Sequence, residues 1–225
     1  WLLRHSKASI IPLGVEPFSE EVCKQYPGHA LGEPDIRELL CEDGLFKLVY
    51  LAAFRPGKGH VWLVKSLAQL LKEKPHIKVL MLGDGKIRSI VVKLIQKFGL
   101  SKQIICPGYI QRKEIPWVLS RCNAALIVSR AETFGHCYVE PAMAGLPIIG
   151  TRVGVGEYLI QDMQTGVGFS IGDADRLTQA VGYLSNHFDE AKCMGNRLRQ
   201  LASALYSHEE IAKAHLRLYA KLFNM

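Results

Sequence analysis

The chain has 225 residues, of which 48% are hydrophobic, and its formal net charge is +7 at pH 7. A chain of this length and composition can bury a complete hydrophobic core. It contains no run of 18 apolar residues, which argues against a membrane-spanning helix, and it shows no signal-peptide pattern. No aromatic-basic surface motif accompanies the positive charge, so nucleic acid is not expected as a partner.

Residues 1–45 are predicted to form a lead-in segment to the main domain. A short apolar run at 9–16 ends in a turn. The glycines and proline of 23–33 predict a loop, and residues 35–41 are expected to form a short helix. This segment therefore contributes little regular structure in the prediction.

Residues 46–172 show a regular alternation of two patterns. Short apolar runs rich in β-branched residues predict buried strands, and longer amphipathic runs predict helices. This alternation indicates right-handed βαβ crossovers and a doubly wound, Rossmann-like parallel sheet of about six strands in an α/β fold. The predicted strands are 46–53, 77–82, 104–106, 124–128, 147–150 and 167–170, and the predicted helices are 59–74, 87–98, 115–120 and 136–144.

Residues 173–225 are predicted to be wholly helical and to pack on the same domain. The expected helices are 173–184, 189–205 and 208–222, and Asp173 and Ser207 are suitable N-cap residues.

Cysteine usage indicates a reduced, cytosolic compartment. The six cysteines occur singly, without a Cys-x-x-Cys pair or a histidine spacing typical of zinc. They are Cys23, Cys41, Cys106, Cys122, Cys137 and Cys193.

Positive charge is concentrated in one part of the chain. Between Arg55 and Arg121 there are fourteen lysines and arginines against three acidic residues. Five of these bases fall at helical spacing among apolar residues and are expected on solvated helix faces, namely Lys65, Lys72, Lys74, Lys93 and Lys97. The remainder could serve a polyphosphate ligand or a peripheral contact with the anionic inner face of a membrane.

The stretch 124–151 packs a strand, a polar loop, a helix and a second strand into few residues. Loops at the carboxyl ends of parallel strands bind ligands in open α/β sheets. Gly135 stands where the helix begins, and a helix N-terminus attracts phosphate. Glu140 is about one turn inside the helix, where its carboxylate is better suited to sugar hydroxyls, and Glu132 lies in the loop. As an alternative, both glutamates could be helix-terminus charges.

This stretch resembles the Glu-x7-Glu motif of the family 4 retaining glycosyltransferases, which have the GT-B fold. The family pattern reads Ser-x-x-Glu-x-Phe-Gly-x-x-x-x-Glu-Ala-Met-Ala-x-Gly-x-Pro. Val128 and Pro141 depart from the usual proline and alanine. The matching positions are Ser129, Glu132, Phe134, Gly135, Glu140, Ala142, Met143, Ala144, Gly145 and Pro147.

The resemblance implies the donor-binding, C-terminal half of such an enzyme. The whole enzyme would transfer a sugar from a nucleotide diphosphate sugar to a hydroxyl acceptor with retention, and no metal or other cofactor is expected. Glu132 would hold the donor sugar and Glu140 the ribose, with Phe134 and Gly135 beside them. The N-terminal GT-B domain would be missing, and the start at Trp1 also suggests a fragment.

A second segment of the resemblance concerns the diphosphate. Lys58-Gly59 follows the first strand in register with a Lys-Gly of the family, so Lys58 is expected to meet phosphate and take part in catalysis with Glu132. Ala53 stands where the family has arginine, and Arg55 is a candidate replacement. The alternative is that Gly59 only relieves packing at a helix start.

Two further segments are expected to lie beside the ligand. Gly83 resembles a family glycine that lets the backbone approach the ligand, while Asp84 after it is expected mainly to form a turn. Tyr109 and Ile110 resemble the family segment beside the base pocket. Tyr109 could equally be an ordinary half-buried aromatic residue.

The loop after the fifth strand carries Gly154 and Gly156, which hint at a close backbone approach to phosphate. Glu157 in that loop could instead be a carboxylate at a helix N-terminus.

Three functions from two classes stay open at the sequence level. The first is a cytoplasmic glycosyltransferase, either free or peripheral to the inner face of the membrane, with a glycan, a lipid-linked or a small hydroxyl acceptor. The second is a GT-B sugar-nucleotide epimerase. The third is a non-catalytic nucleotide-sugar-binding module.

Overall fold

The structure is a computed structural model that describes residues 11–15, 18–25 and 28–223. The beginning of the predicted apolar run, 9–10, and its last position, 16, lie outside the described residues.

The centre of the domain is a six-stranded parallel sheet. Its strand order is β3-β2-β1-β4-β5-β6. The predicted doubly wound α/β fold is therefore confirmed. The strands are β1 (Phe46–Leu51), β2 (Ile77–Leu82), β3 (Ile104–Gly108), β4 (Ala124–Ile127), β5 (Ile148–Thr151) and β6 (Gly166–Phe169).

Helices cover both faces of this sheet. In the described part of the chain they are α1 (Glu20–Lys24), α2 (Arg37–Cys41), α3 (His60–Glu73), α4 (Arg88–Lys97), α5 (Ile115–Leu119), α6 (His136–Met143), α7 (Gly156–Leu159), α8 (Ala174–Leu184), α9 (Phe188–Tyr206) and α10 (His208–Phe223). The side chains of α3, α4 and α8 enter the core on one face, and those of α2, α5, α6 and α7 enter the core on the other.

Strand β1 shows why the sheet is buried on both sides. Phe46, Leu48 and Tyr50 point into the core beneath α3, whereas Val49 belongs to the opposite core. Successive side chains of a strand point to opposite faces, so a strand with apolar residues on both faces needs helices on both.

The neighbouring strands β1 and β4 form the point where the chain reverses direction across the sheet. From β1 the chain moves outward through β2 to β3, then returns to β4 on the other side of β1. The helices after β1 and β4, α3 and α6, lie on opposite faces, which leaves a crevice at the carboxyl ends of these two strands. Open α/β sheets bind their ligands in such a crevice.

The structure corrects two details of the prediction. Strand β1 ends at Leu51 and not at Ala53, because the chain turns and the Arg55 amide donates to the Ala53 carbonyl at 2.8 Å. The lead-in segment also contains helix α1, which has no amphipathic period in the sequence. Tertiary contacts hold it: the Arg121 guanidinium donates to the Cys23 carbonyl at 3.1 Å.

The lead-in segment is also part of the main core. Leu31, Ile36 and Leu40 are buried against the helices of the α6 face.

Helix α10 differs from the other long helices because none of its residues is buried. It exposes a set of large apolar side chains, namely Leu216, Tyr219, Leu222 and Phe223. Within the described residues, no helix is both long enough and apolar enough to cross a membrane.

Candidate functional site

Lys58 reaches the crevice because the loop after β1 lies against the end of β4. A 3-10 helix at Pro56–Lys58 follows the turn, and the Tyr50 hydroxyl donates to the Lys58 carbonyl. Gly59 has φ 72°, and a Cβ atom there would lie 2.5 Å from the Val128 carbonyl oxygen. This close approach requires glycine, as the packing alternative for Gly59 proposed.

Lys58 and Glu132 form an ion pair across the crevice. The Lys58 Nζ atom donates to Glu132 Oε1, and the side chains are 25% and 12% exposed. Burial by itself would raise the pKa of Glu132, but the hydrogen bond and charge of Lys58 bring that pKa below its ordinary value. The carboxylate is therefore ionised at neutral pH and keeps the ammonium group in place.

Cys137 is the next group beside this pair. Its Sγ atom lies 3.5 Å from Glu132 Oε1. Burial and then the nearby Glu132 charge raise the pKa of this thiol to about 12. Cys137 is thus a neutral thiol that can donate to Glu132, and it is a poor nucleophile.

The N-terminus of α6 opens onto the same crevice. Gly135 has φ 105°, and a Cβ atom there would lie 2.8 Å from the Tyr138 ring. The Tyr138 hydroxyl donates to the Thr151 carbonyl at 2.7 Å, which fixes α6 against β5. The glycine therefore lets α6 begin directly after the loop that carries Glu132.

Gly154 packs against the loop that carries Glu132, and its predicted approach to phosphate stays a prediction. A Cβ atom on Gly154 would lie 2.6 Å from the Phe134 carbonyl oxygen and 3.1 Å from Glu132 Cβ. The backbone of the β5–α7 loop thus packs directly behind Glu132, and Glu157 lies in the first turn of α7, as its alternative reading expected.

Phe134 is half-buried, and its ring packs within the protein. The ring centroid lies 5.3 Å from that of His136 and 5.7 Å from that of Tyr206 at the end of α9. Its predicted role beside the donor stays a prediction.

Glu140 lies further along α6 and is half-buried. Burial raises the pKa of Glu140 above its ordinary value, while the charges of Arg112 and His136 oppose that shift. Arg112 belongs to the segment after β3, so Glu140 is placed toward the β3 side of the crevice. This is the side on which the sequence predicted the nucleoside.

A cavity of about 340 Å³ lies at the carboxyl ends of β1, β2 and β3, and we call it the β1–β3 pocket. It brings together Gly83, predicted to let the backbone approach the ligand, and Tyr109 and Ile110, predicted beside the nucleobase. Tyr109 is 72% exposed, so it is not an ordinary half-buried aromatic residue. Further lining residues are Leu51, Ala52, Ala53, Leu82, Asp84 and Ile115.

Gly83 forms the floor of this pocket with φ 135°, and a Cβ atom there would overlap the Ala52 carbonyl. Asp84 accepts a hydrogen bond from the Gly85 amide at 2.7 Å, which is the turn role predicted for it. Arg55 is exposed at the start of the 3-10 helix, and Ala53 presents only a methyl group to the pocket. Replacement of the family arginine by Arg55 therefore stays a prediction.

A second cavity, of about 510 Å³, lies at the carboxyl ends of β4, β5 and β6, and we call it the β4–β6 pocket. It is lined by three arginines, Arg130, Arg152 and Arg176, which the sequence analysis did not select. Two of them follow the ends of β4 and β5, and the third lies in the first turn of α8. Their position after strands in a parallel sheet was the signal that could have identified them.

Among the described residues, no three side chains of the metal-binding types come together in a group that could hold a metal ion.

The sequence profile of the family described as "Glycosyl transferases group 1" matches residues 33–201. The chain belongs to this family. The match covers the sheet, the crevice and most of α9.

Curated proteins are similar in sequence to this chain over most of its length. It is 25% identical to the N-acetyl-alpha-D-glucosaminyl L-malate synthase of Bacillus anthracis over 189 residues, which cover 82% of this chain and 49% of the relative. It is 25% identical to the alpha-monoglucosyldiacylglycerol synthase of Acholeplasma laidlawii over 227 residues, 99% of this chain and 55% of the relative. The chain thus spans about half the length of these curated relatives.

Solved structures share the fold. The sucrose-phosphate synthase of Thermosynechococcus elongatus superposes with a TM-score of 0.78 and 25% identity, covering 99% of this chain and 55% of its own. Anabaena HepE in complex with UDP and glucose superposes with a TM-score of 0.74 and 18% identity, covering 92% of this chain and 55% of its own. The latter, at its low identity, is similar in fold alone.

Proposed function

We propose that this chain is the donor-binding half of a retaining glycosyltransferase that moves a sugar from a nucleotide diphosphate sugar to a hydroxyl acceptor. The observation that carries the proposal is the Lys58–Glu132 pair, which lies in the β1/β4 crevice beside the N-terminus of α6. Family membership and the solved relative with bound UDP and glucose support it.

In this proposal the donor extends along the carboxyl edge of the sheet. The base enters the β1–β3 pocket, where the Tyr109 and Ile110 main chain borders it. Glu140 accepts hydrogen bonds from the ribose, and the diphosphate lies between Lys58 and the N-terminus of α6. Glu132 then meets the hydroxyls of the transferred sugar.

The chemistry that follows is stabilisation of a leaving group. When the bond between the sugar and the diphosphate breaks, negative charge grows on the diphosphate oxygens. The Lys58 ammonium and the amide groups at the start of α6 lie beside these oxygens and stabilise the growing charge. Lys58 must leave Glu132 or share its hydrogens with the diphosphate, which couples donor binding to the sugar site.

The rest of the acceptor side of the cleft is supplied, in this proposal, by a second domain that precedes this one in the whole enzyme. The length of the curated relatives supports this, since they are about twice as long as this chain. The exposed apolar side chains of α10 are the surface that we propose packs on that domain.

The test is calorimetric binding of uridine, guanosine and adenosine diphosphates to this chain in the presence of a metal chelator. We expect one of them to bind, and the Lys58→Ala variant to weaken that nucleoside diphosphate far more than the nucleoside. Lys93→Ala on the exposed face of α4 removes the same charge and should change neither affinity. Loss of binding on chelation, or equal losses for nucleoside and nucleoside diphosphate, would contradict the proposal.

The two other functions considered from the sequence differ in what they release. An epimerase would release an epimerised sugar without an acceptor, and a binding module would release nothing from the donor. An assay of the complete enzyme with and without acceptor separates the three.

A further inference from the structure

The β4–β6 pocket has no role in the donor-binding scheme. It is nonetheless the larger of the two pockets at the strand ends, at about 510 Å³. Arg130, Arg152 and Arg176 line it, and Asp173 is the one carboxylate among the described residues of its wall.

Arg152 is held rigidly in this pocket. Its Nε atom donates to the Ile160 carbonyl at 3.3 Å, and one terminal nitrogen lies 2.7 Å from Asp162 Oδ1. The guanidinium covers Gly168, where a Cβ atom would overlap it. The same Asp162 oxygen accepts from the Gly168 amide at 2.7 Å, so the arginine and its partner are fixed to β6.

The other two arginines leave positive charge uncompensated. Arg176 lies 3.8 Å from Asp162, whose first partner is Arg152. Asp173 caps α8 by accepting from the Arg176 amide at 2.9 Å. Arg130 forms no ion pair with the described residues at these distances. Among the residues that the structure describes, only two carboxylates, Asp162 and Asp173, therefore lie close to the three guanidinium groups, and the pocket keeps a net positive charge.

The pocket also adjoins the Lys58–Glu132 pair. The Arg130 amide donates to the Gly57 carbonyl at 3.1 Å, so Arg130 packs on the loop that carries Lys58. Glu132 follows Arg130 by two residues. In the strand order, the pocket lies on the opposite side of this pair from the β1–β3 pocket.

We infer that the β4–β6 pocket binds the phosphate monoester group of a second ligand, the acceptor. A phosphate monoester carries close to two negative charges at neutral pH, and guanidinium groups bind its oxygens in pairs. The volume leaves room for a sugar-sized group beside the phosphate. The role as acceptor site rests on the proposed function, whereas the binding of a phosphate monoester rests on this pocket alone.

The experiment measures binding by calorimetry to the chain, with three probes. Glucose 6-phosphate supplies a soluble monoester, glucose its uncharged counterpart, and dihexanoyl phosphatidic acid a lipid monoester. Each titration is repeated with saturating nucleoside diphosphate. We expect at least one monoester to bind, glucose not to bind, and the nucleotide to leave the monoester affinity within about threefold, since the two ligands occupy different pockets.

Variants connect the binding to the pocket. Arg130→Gln removes the unpaired guanidinium and should weaken the monoester roughly tenfold, as expected for a hydrogen bond to a charged group. Arg130→Lys should recover part of that loss. Arg217→Gln on α10 removes the same charge outside the pocket and should have no effect. Thermal unfolding of each variant verifies that it is folded.

The results of these titrations identify the ligand or overturn the inference. A preference for glucose 6-phosphate over the lipid probe identifies a soluble acceptor, and the reverse preference identifies a lipid headgroup. No binding of either monoester, full displacement by the nucleotide, or equal losses in Arg130→Gln and Arg217→Gln would overturn the inference. If nucleoside diphosphates fail to bind but a monoester binds in an Arg130-dependent manner, the donor proposal fails and the pocket assignment stands.

Discussion

The β1–β3 pocket and the β4–β6 pocket, both at the carboxyl edge of the sheet, differ in the side chains that line them. The β1–β3 pocket has a floor of glycine backbone and walls of aliphatic side chains. The β4–β6 pocket has three arginines and three hydroxyl side chains in its wall, beside Val153, Phe169 and Ile171. Lys58 and Glu132 pair at the boundary between them. One half of the sheet edge therefore suits a flat, weakly charged ring and the other half an anion, although the same parallel strands support both.

This difference follows from the way each half is closed. On the β1–β3 side, tight turns after the strands bring backbone to backbone, as at Gly83 and Ala52, so little room is left for long side chains. On the β4–β6 side, polar side chains follow the strands, and the Arg152 guanidinium extends over Gly168. The predictions below test whether the two halves are independent, in order of decreasing expected effect.

The largest effect is expected from Gly83→Ala, which alters the floor of the β1–β3 pocket. The added Cβ would overlap the Ala52 carbonyl and would force alanine into φ 135°. We expect a loss of about 3 to 4 kcal/mol in the free energy of unfolding, measured with urea, from overpacking and backbone strain together.

Gly99→Ala is the matched control for that substitution. Gly99 has φ 70° with nothing within 4 Å of an added Cβ, so only the conformational cost of about 1 kcal/mol applies. In the folded Gly83→Ala protein, nucleoside affinity should fall while glucose 6-phosphate affinity is retained. Equal losses of both ligands would show that the pockets are not independent.

Acid should lower the free energy of unfolding of the domain that carries both pockets, because His60 is buried beneath the boundary between them. His60 is the first residue of α3, is fully buried, and stacks on Phe54 with ring centroids 4.2 Å apart. Burial, with a contribution from the Lys58 charge, lowers the pKa of His60 from 6.5 to about 4. As the pH falls, the folded protein therefore binds a proton at His60 only at a lower pH than the unfolded chain does.

Because the unfolded chain is protonated first, the free energy of unfolding decreases as the pH falls. The contribution of His60 is complete above pH 6.5, and it is lost as the pH falls from 6.5 to about 4. We expect a decrease of about 3 kcal/mol in the free energy of unfolding over this range, measured with urea at several pH values. His60→Gln should flatten this part of the profile, whereas His215→Gln on the exposed surface of α10 should leave it unchanged. An identical slope in the wild type and His60→Gln would assign the acid sensitivity elsewhere.

The sequence predicts the residues of the β1–β3 pocket better than those of the β4–β6 pocket. Gly83, Tyr109 and Ile110 are each predicted near the ligand because they follow strands and resemble family segments, and the structure brings them into one pocket. Arg130 and Arg152 follow β4 and β5, whereas Arg176 lies in α8, and no shared sequence pattern links them, so only the strand order reveals that they meet. Helix α1 was missed for a related reason, since a contact with Arg121 holds it and no local period marks it.

The two glutamates should separate the base side from the sugar side. Glu140→Gln replaces a carboxylate with an amide that has one acceptor oxygen, so we expect roughly tenfold weaker binding of nucleoside diphosphate. Glu132→Gln should leave that affinity nearly unchanged but weaken the intact sugar nucleotide and slow transfer in the complete enzyme. Calorimetry with both ligands distinguishes the roles, and equal effects of the two variants on the bare diphosphate would refute them.

The smallest effect is expected from Tyr109 at the rim of the β1–β3 pocket. Its ring is 72% exposed, so Tyr109→Ala removes little packing and should leave the free energy of unfolding unchanged within about 0.5 kcal/mol. If the ring covers the base, its loss removes a stacking contact of about 1 kcal/mol, which is a few-fold decrease in affinity. Tyr109→Phe keeps the ring and should bind normally. Because the ring contacts only the base, nucleoside and nucleoside diphosphate should weaken by the same factor, in contrast to Lys58→Ala. A loss confined to the diphosphate would place the ring beside the phosphates, and the β1–β3 pocket would then not be the site of the base.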